Sequence, residues 1–254
     1  MLAPGIARYP QPMHPHDEPR WDRPAELEAI QRTYDGYEAD HRARLWDRRR
    51  PGYGRLVATL QERLRESLVA SVPRSDGVVL DLGCGDGDLT DERARLPGGT
   101  DWIGLDLRED AVNRARARFP DTRFIVASAD AVPLADASVD VVVARVLFSS
   151  LPSMRLEDAV AREIGRLLRP GGWLVWLDVR YRNPANPAIH GLSERHIARL
   201  FPGWHRELRL VGLLPPIARR LGPITPVAFP ALAAVPALRS HLVGRLRPAS
   251  RTAA

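Results

Sequence analysis

The sequence has no lysine and a single cysteine. All 37 basic residues are therefore arginine; against 31 acidic residues they leave a formal net charge of +6 over 254 residues. A positive surplus can signal a polyanionic partner. Here the acids are interleaved with the arginines almost throughout, and the many Ala and Pro residues mark a bias of the whole chain. A run such as Arg48-Arg49-Arg50 is short, as solvated surface charge usually is. No nucleic-acid partner is expected. The lone Cys84 excludes an internal disulfide and any multi-cysteine metal site, and no metal is expected. The N-terminus lacks the apolar stretch of a signal peptide. No run reaches the ~18 apolar residues of a membrane span. A cytoplasmic location is expected.

What is present is an ordinary globular composition, 44% hydrophobic. Its length suits one α/β domain with additions. Residues 1–22 are rich in Pro and His, without period, and read as a disordered tail. Helices are expected from Pro24 to about Tyr37 and from Tyr53 to Ala70; in the second, Leu56, Leu60, Leu64 and Leu68 fall on one face. The pattern then switches to short apolar runs: Val78–Leu82, Trp102–Leu107, Arg123–Val126, Val139–Ala144 and Trp173–Val179. Helical stretches at Arg108–Arg118 and Arg155–Leu168 lie between them. Such alternation predicts βαβ units and a mostly parallel sheet flanked by helices. Arg169-Pro170-Gly171-Gly172 reads as the turn into the fifth strand. Beyond residue 180 the pattern weakens. Ser193–Leu200 is expected as a capped helix, and Glu207–Leu214 and Ser240–Arg247 as closing antiparallel strands. Between those strands lies the apolar, proline-studded insertion 215–238. A single domain over 23–250 follows, with its core at about 55–180.

The most informative segment is Val78-Val79-Leu80-Asp81-Leu82-Gly83-Cys84-Gly85-Asp86-Gly87. It predicts a strand, a glycine-rich turn and the start of a helix. Glycines let the backbone approach a ligand and take positive φ. The dinucleotide fingerprint requires a third glycine at position 88, where Asp88 stands. Asp81, two residues before the first glycine, suits an ammonium group and would repel a pyrophosphate. Asp106 lies about 20 residues further on, where an acid can accept hydrogen bonds from ribose hydroxyls. Asp130, after the third strand, is placed to reach an adenine amino group. All three fall at carboxyl ends of predicted parallel strands, where open α/β sheets bind ligands. Cys84 is read as a small buried residue of the turn rather than a nucleophile.

These motifs, in this order, resemble the class I S-adenosylmethionine (SAM)-dependent methyltransferase family, in particular its small-molecule branch. Leu80–Gly87 matches the first motif, Gly104-Leu105-Asp106 the second, and Ala129-Asp130-Ala131 with Pro133-Leu134 and Ser138-Val139-Asp140 the third and fourth. Glu163–Gly172 matches the helix and turn before the fifth strand. The resemblance covers roughly residues 55–180. It implies a Rossmann-like fold with N-terminal helices, and SAM as cofactor with S-adenosylhomocysteine (SAH) as product. It also implies roles for single residues. Gly83, Cys84, Gly85 and Gly87 would pack on the methionine part of SAM, with Asp81 near its amino group. Asp106 would hold the ribose, Leu107 would pack on the adenine, and Asp130 and Ala131 would face that ring. Arg145 and Val146 would line the mouth where the methyl group is delivered, and Tyr34 and Tyr37 sit on a helix that in relatives folds over the pocket.

The resemblance also has a departure. Where many relatives carry a histidine pair, this chain has Ser149-Ser150. Other candidates for a base or an acceptor contact are His190, Arg180 and Tyr181; His196 is a weaker one. The expected reaction is methyl transfer to a small-molecule acceptor, on a hydroxyl or carboxyl oxygen of a natural product or sugar. N- or C-methylation, and a non-catalytic SAM-binding regulator, are the alternatives. The amino-methylating motif ending in Pro-Pro-aromatic is missing after the fourth strand, and Asn183-Pro184 lacks the rest of it. The insertion 215–238 is expected as a substrate lid or as a surface for peripheral membrane contact, in a monomer or homodimer.

Overall fold

The computed structural model describes residues 23–35, 47–73, 75–182 and 189–249. The tail 1–22, Tyr37, Asn183 and Pro184 lie outside the described residues, as does the Tyr34 side chain. The first helix, α1 (Arg23–Asp35), opens with Pro24 in its first turn, and α2 (Pro51–Val69) opens with Pro51. There a missing N–H costs nothing. The chain then builds β1 (Val78–Leu82), β2 (Asp101–Asp106), α3 (Glu109–Arg118), β3 (Arg123–Val126), β4 (Val139–Arg145), α4 (Met154–Leu167) and β5 (Leu168–Val179). It closes with α5 (Glu194–Leu200), β6 (His205–Val211), α6 (Pro215–Ala218), α7 (Thr225–Ala233) and β7 (His241–Arg247). The seven strands form one sheet in the order β3-β2-β1-β4-β5-β7-β6. The first five are parallel, and β7 is antiparallel to both its neighbours. The strand order reverses between β1 and β4, which opens a crevice at their carboxyl ends.

Alternate residues along each strand face opposite layers. Leu80, Leu82, Val142, Ala144 and Trp176 are buried in one core layer, capped by Val160 and Ile164 of α4 and Ile197 of α5. Val79, Val141, Val143, Val175 and Leu177 are buried in the other with Leu64 and Leu68 of α2. Both faces are covered, so the strands read as continuous apolar runs. The predicted Leu stripe of α2 is therefore the inner face of that helix.

Three expectations change. Of the two closing strands only β7 is reversed; β6 ends at Val211, and residues 212–214 lead into α6. The glycine turn is followed by the six-residue 3-10 helix Thr90–Arg95 rather than an α-helix. Pro97 explains the early stop, since the residue before a proline disfavours the α region, and Leu96 takes ψ 161°. The turn at Arg169–Gly172 is an irregular opening of β5: Val139 pairs with Leu168, but the next pair near it is Val141 with Trp173. Gly171 supplies φ +84° there. The insertion folds into α6, α7 and two 3-10 turns; Ala218, Leu221 and Phe229 pack against Tyr53 and Leu56 of α2. No helix among the described residues is long and apolar enough to cross a membrane.

Ser153 helps tie α1 to the body. Ser153 Oγ caps α4 by accepting from Leu156 N at 3.2 Å and donates to Glu26 Oε2 of α1 at 2.7 Å. Ser153→Ala is expected to lower stability by about 1 kcal/mol, a typical N-cap loss. It should also raise amide exchange across residues 23–35, measured by hydrogen–deuterium exchange mass spectrometry.

Candidate cofactor and acceptor site

The turn after β1 is pinned to the end of β2. Gly83 N and Cys84 N both donate to Leu105 O, at 2.7 and 2.9 Å. Gly85 N donates to Asp106 Oδ2 at 2.9 Å, and Arg108 N to Asp106 Oδ1 at 2.9 Å. Gly83, Gly85 and Gly87 take φ of +81°, +54° and +78°, which explains three glycines in five residues. From outside, Arg114 and Arg118 of α3 clamp the loop through Asp86 and Asp88. Cys84 is buried under the turn, and burial pushes its thiol far above the ordinary value, so it is inert as a nucleophile.

Above this turn opens a cavity of about 670 Å³. Gly83, Cys84, Gly85, Asp106 and Leu107 line one end. Arg145 and Val146 line its middle; Val146 takes φ +53°, and its N–H donates to Leu177 O at 2.7 Å. Positive φ at a β-branched residue is strained and concentrates at functional sites. Asp81 sits beneath this floor, 1% exposed, and its Oδ2 has no hydrogen-bond partner. Burial pushes its carboxyl up to about 7; the nearby Arg145 pulls the other way. The Oδ2 atom is sealed from the cavity, so a cationic amino group above the turn would meet Asp81 through its charge rather than through a direct bond. The ribose side fits as well: both Asp106 oxygens accept backbone bonds yet keep lone pairs for hydroxyls.

The structure does not bring every expected residue into the lining. Gly87 shapes the turn from outside, and Ala131 is exposed. Asp130 accepts from Ser128 Oγ, and it is Ser128 and Ala129 that line the cavity. Of the acceptor candidates, Tyr181 lines it, with its hydroxyl donating to Ala237 O at 2.9 Å. Arg180 does not: its guanidinium donates to Pro236 O and lies over the Tyr181 ring. His190 also stays out. Its Nε2 meets Glu157 Oε1 at 2.8 Å, while His196 Nε2 and Arg199 bind Glu157 Oε2. Burial pushes Glu157 up, but the bonds from His190 and His196 outweigh it and hold the carboxyl below its usual range; the Glu157 bond in turn raises His190. His190 and His196 thus serve a buried carboxylate between α4 and α5. Ser149 is buried, with its N–H on Asp178, and Ser150 lines the cavity.

The rest of the lining is largely aliphatic, with Arg48, Gln61 and Arg219 among it. Leu56, Val57, Leu60 and Leu64 of α2 line the cavity, together with Leu214 and with Ile217 of the insertion. Ser240 and His241, at the start of β7, also line it. No sequence motif pointed to His241. It stands far from every motif, and only the antiparallel pairing of β7 with β5, Val179 opposite His241, carries it to the carboxyl edge of the sheet.

The family model of a methyltransferase domain matches residues 79–172. Over 118 residues the chain is 36% identical to malonyl-(acyl-carrier protein) O-methyltransferase of Enterobacter lignolyticus, covering 46% of this chain and 45% of that protein. Over 123 residues it is 33% identical to the ubiquinone/menaquinone biosynthesis C-methyltransferase of Hahella chejuensis, covering 46% and 47%. Among solved structures, phosphoethanolamine N-methyltransferase 1 of Haemonchus contortus, in complex with phosphoethanolamine and SAH, superposes with TM-score 0.60 at 16% identity, covering 92% of this chain and 51% of that one. Residues 79–172 are a methyltransferase domain of the class I, SAM-dependent kind, on the Rossmann-like fold of that class. The chain spans about half the length of the curated relatives it matches.

Asp81 gives the site a pH dependence. Its carboxyl is protonated below about 7 in the free protein and must ionise to pair with an ammonium. SAM affinity is therefore expected to fall as pH drops from 8 to 6, and this dependence should vanish in Asp81→Asn, with affinity at pH 8 reduced about tenfold, or ~1.4 kcal/mol. The same change should raise the melting temperature at pH 8. Asp81 binds its proton more tightly folded than unfolded, so the wild type loses stability as pH rises from about 4 to about 7. Calorimetric titration and thermal unfolding at the two pH values check both signs.

Proposed function

We propose that the protein is a SAM-dependent methyltransferase acting on an apolar small molecule, with a hydroxyl or carboxyl oxygen as acceptor. The observation that carries this reading is the two-ended cavity: the glycine turn with Asp106 at one end, and the α2 and insertion side chains at the other. Its volume of about 670 Å³ lies within the range of small-molecule sites, ~300–1,000 Å³. The largely aliphatic lining favours a natural product with an apolar skeleton, whose polar groups would meet the few polar side chains there, Gln61 and Ser240 among them. The O-methyltransferase among the relatives points the same way; the C-methyltransferase keeps carbon as the second acceptor atom. The insertion 215–238 packs on α2 and lines the cavity through Pro215–Ile217, which supports its reading as a substrate lid.

The protein's part is mostly positioning. SAM supplies a sulfonium methyl whose leaving group is already good. The glycine turn, Asp81 and Asp106 hold the donor, and the aliphatic wall orients the acceptor oxygen towards it and excludes water. Reacting atoms must be brought to ~3–3.5 Å in line.

The test is calorimetric titration with SAM, SAH and NAD. Micromolar binding of SAM and SAH but not NAD is expected, weakened about 30-fold or more in Asp106→Ala, since a buried acceptor and its bonds are lost, ~2 kcal/mol. NAD binding, or SAM binding indifferent to Asp106, overturns the reading. For the acceptor end, Leu60→Gln should leave SAM affinity within twofold of wild type while raising the KM for an apolar acceptor in a methyl-transfer assay. A polar acceptor unaffected by Leu60→Gln would count for a sugar.

A further inference from the structure

His241 is the one histidine that lines the cavity among the described residues, 7% exposed. Its hydrogen bonds fix which nitrogen carries the proton. Ser240 Oγ lies 3.0 Å from Leu213 O and 2.7 Å from His241 Nδ1. A carbonyl oxygen has no proton to give, so the single hydroxyl proton of Ser240 must point at Leu213 O. Ser240 Oγ then accepts from His241, and Nδ1 is the protonated nitrogen. That leaves Nε2 with a free lone pair. Nε2 has no hydrogen-bond partner among the described residues and is not among the sealed, unpartnered atoms. It is open to the cavity. Burial pushes the imidazole down to about 4, so it is neutral at working pH and its lone pair is available. Across β5 its backbone lies two strands and two residues from that of Arg145, roughly 12 Å at the usual strand spacing and rise. That span leaves room for an acceptor between Nε2 and a methyl group delivered over β4.

We propose that His241 is the general base of the reaction, held in the Nδ1–H form by Ser240 as its positioning residue, and that the acceptor is therefore an un-ionised hydroxyl rather than a carboxylate. The proposal rests on the reading of the cavity as a joint SAM and acceptor site. In the step, the acceptor O–H proton passes to Nε2, an oxygen electron pair forms the bond to the methyl carbon, and the carbon–sulfur bond breaks with its pair on sulfur, leaving neutral SAH and an imidazolium. Burial leaves the ring too weak a base to take the proton ahead of methyl transfer, so the proton passes to it in concert with that step and is released to water when product leaves. A carboxylate acceptor would arrive ionised and need no such group.

Two measurements on the full chain test this. The first needs no acceptor: the ¹⁵N shifts of the His241 ring, assigned by difference from His241→Gln, should show Nδ1 protonated and Nε2 bare at neutral pH, with that preference relaxed in Ser240→Ala. The opposite tautomer overturns the proposal. The second compares 4-octylphenol with 2-nitro-4-octylphenol at about pH 8, where the first is a neutral phenol, pKa ~10, and the nitro group has ionised the second. His241→Gln should slow methylation of the neutral phenol about 100-fold and of the ionised one less than about threefold. His241→Ala should behave alike, and SAM affinity by calorimetry should change less than twofold in either variant. Equal losses on the two phenols, no loss, or a wild type that methylates neither overturns the assignment. Failure of SAM to bind the wild type marks instead the failure of the underlying cofactor reading.

Discussion

The site depends on how the end of β2 holds the turn after β1. Leu105 O takes two turn N–H groups and the Asp106 carboxylate takes a third, while the same carboxylate caps the entry to α3 through Arg108 N. A carboxylate accepting backbone N–H bonds is one of the stronger restraints available to a loop. Gly83, Gly85 and Gly87 take the positive φ that the turn needs at no steric cost, and Asp106 holds both the floor of the site and the place for the ligand above it. Most functional contact in an open α/β sheet comes from such loops on a rigid base.

Around this anchor the arginine-only composition finds its use. Arg114 and Arg118 tie the turn to α3; Arg166 bridges Glu163, Asp136 and the carbonyls of Val132 and Leu134, fixing the loop before β4. A planar fork that reaches carboxylates and carbonyls together does this better than an ammonium would. Many of the arginines are thus engaged in local pairing.

Charge inside the protein is concentrated on a few buried acids with different fates. Asp81 keeps an unpartnered oxygen and a raised carboxyl beside the cavity. Asp178 is also buried and pushed up to about 6, yet it accepts N–H bonds from Ser149 and Val179. Glu157 is fully paired by two histidines and an arginine and sits low. Paired buried acids shape the fold; the unpaired one marks where a cation is wanted.

The sequence by itself determined the sheet, its helices and the cofactor end of the site. Those rest on local signals: apolar runs, the glycine turn, and Asp81 and Asp106 at strand ends, with spacing enough to exclude a dinucleotide fingerprint. It also carried the α2 stripe and the existence of the apolar insertion. What only the tertiary structure decided is which distant residues converge. His190 looked available as a base, but α4 brings Glu157 to it; Arg180 is turned onto Pro236 and Tyr181; Asp130 is replaced in the lining by Ser128 and Ala129. His241 entered the site because β7 runs backwards beside β5, a long-range pairing with no trace in local periodicity. Strand propensity and turn chemistry are written within a few residues, whereas the partner of a side chain depends on register between segments far apart in the chain.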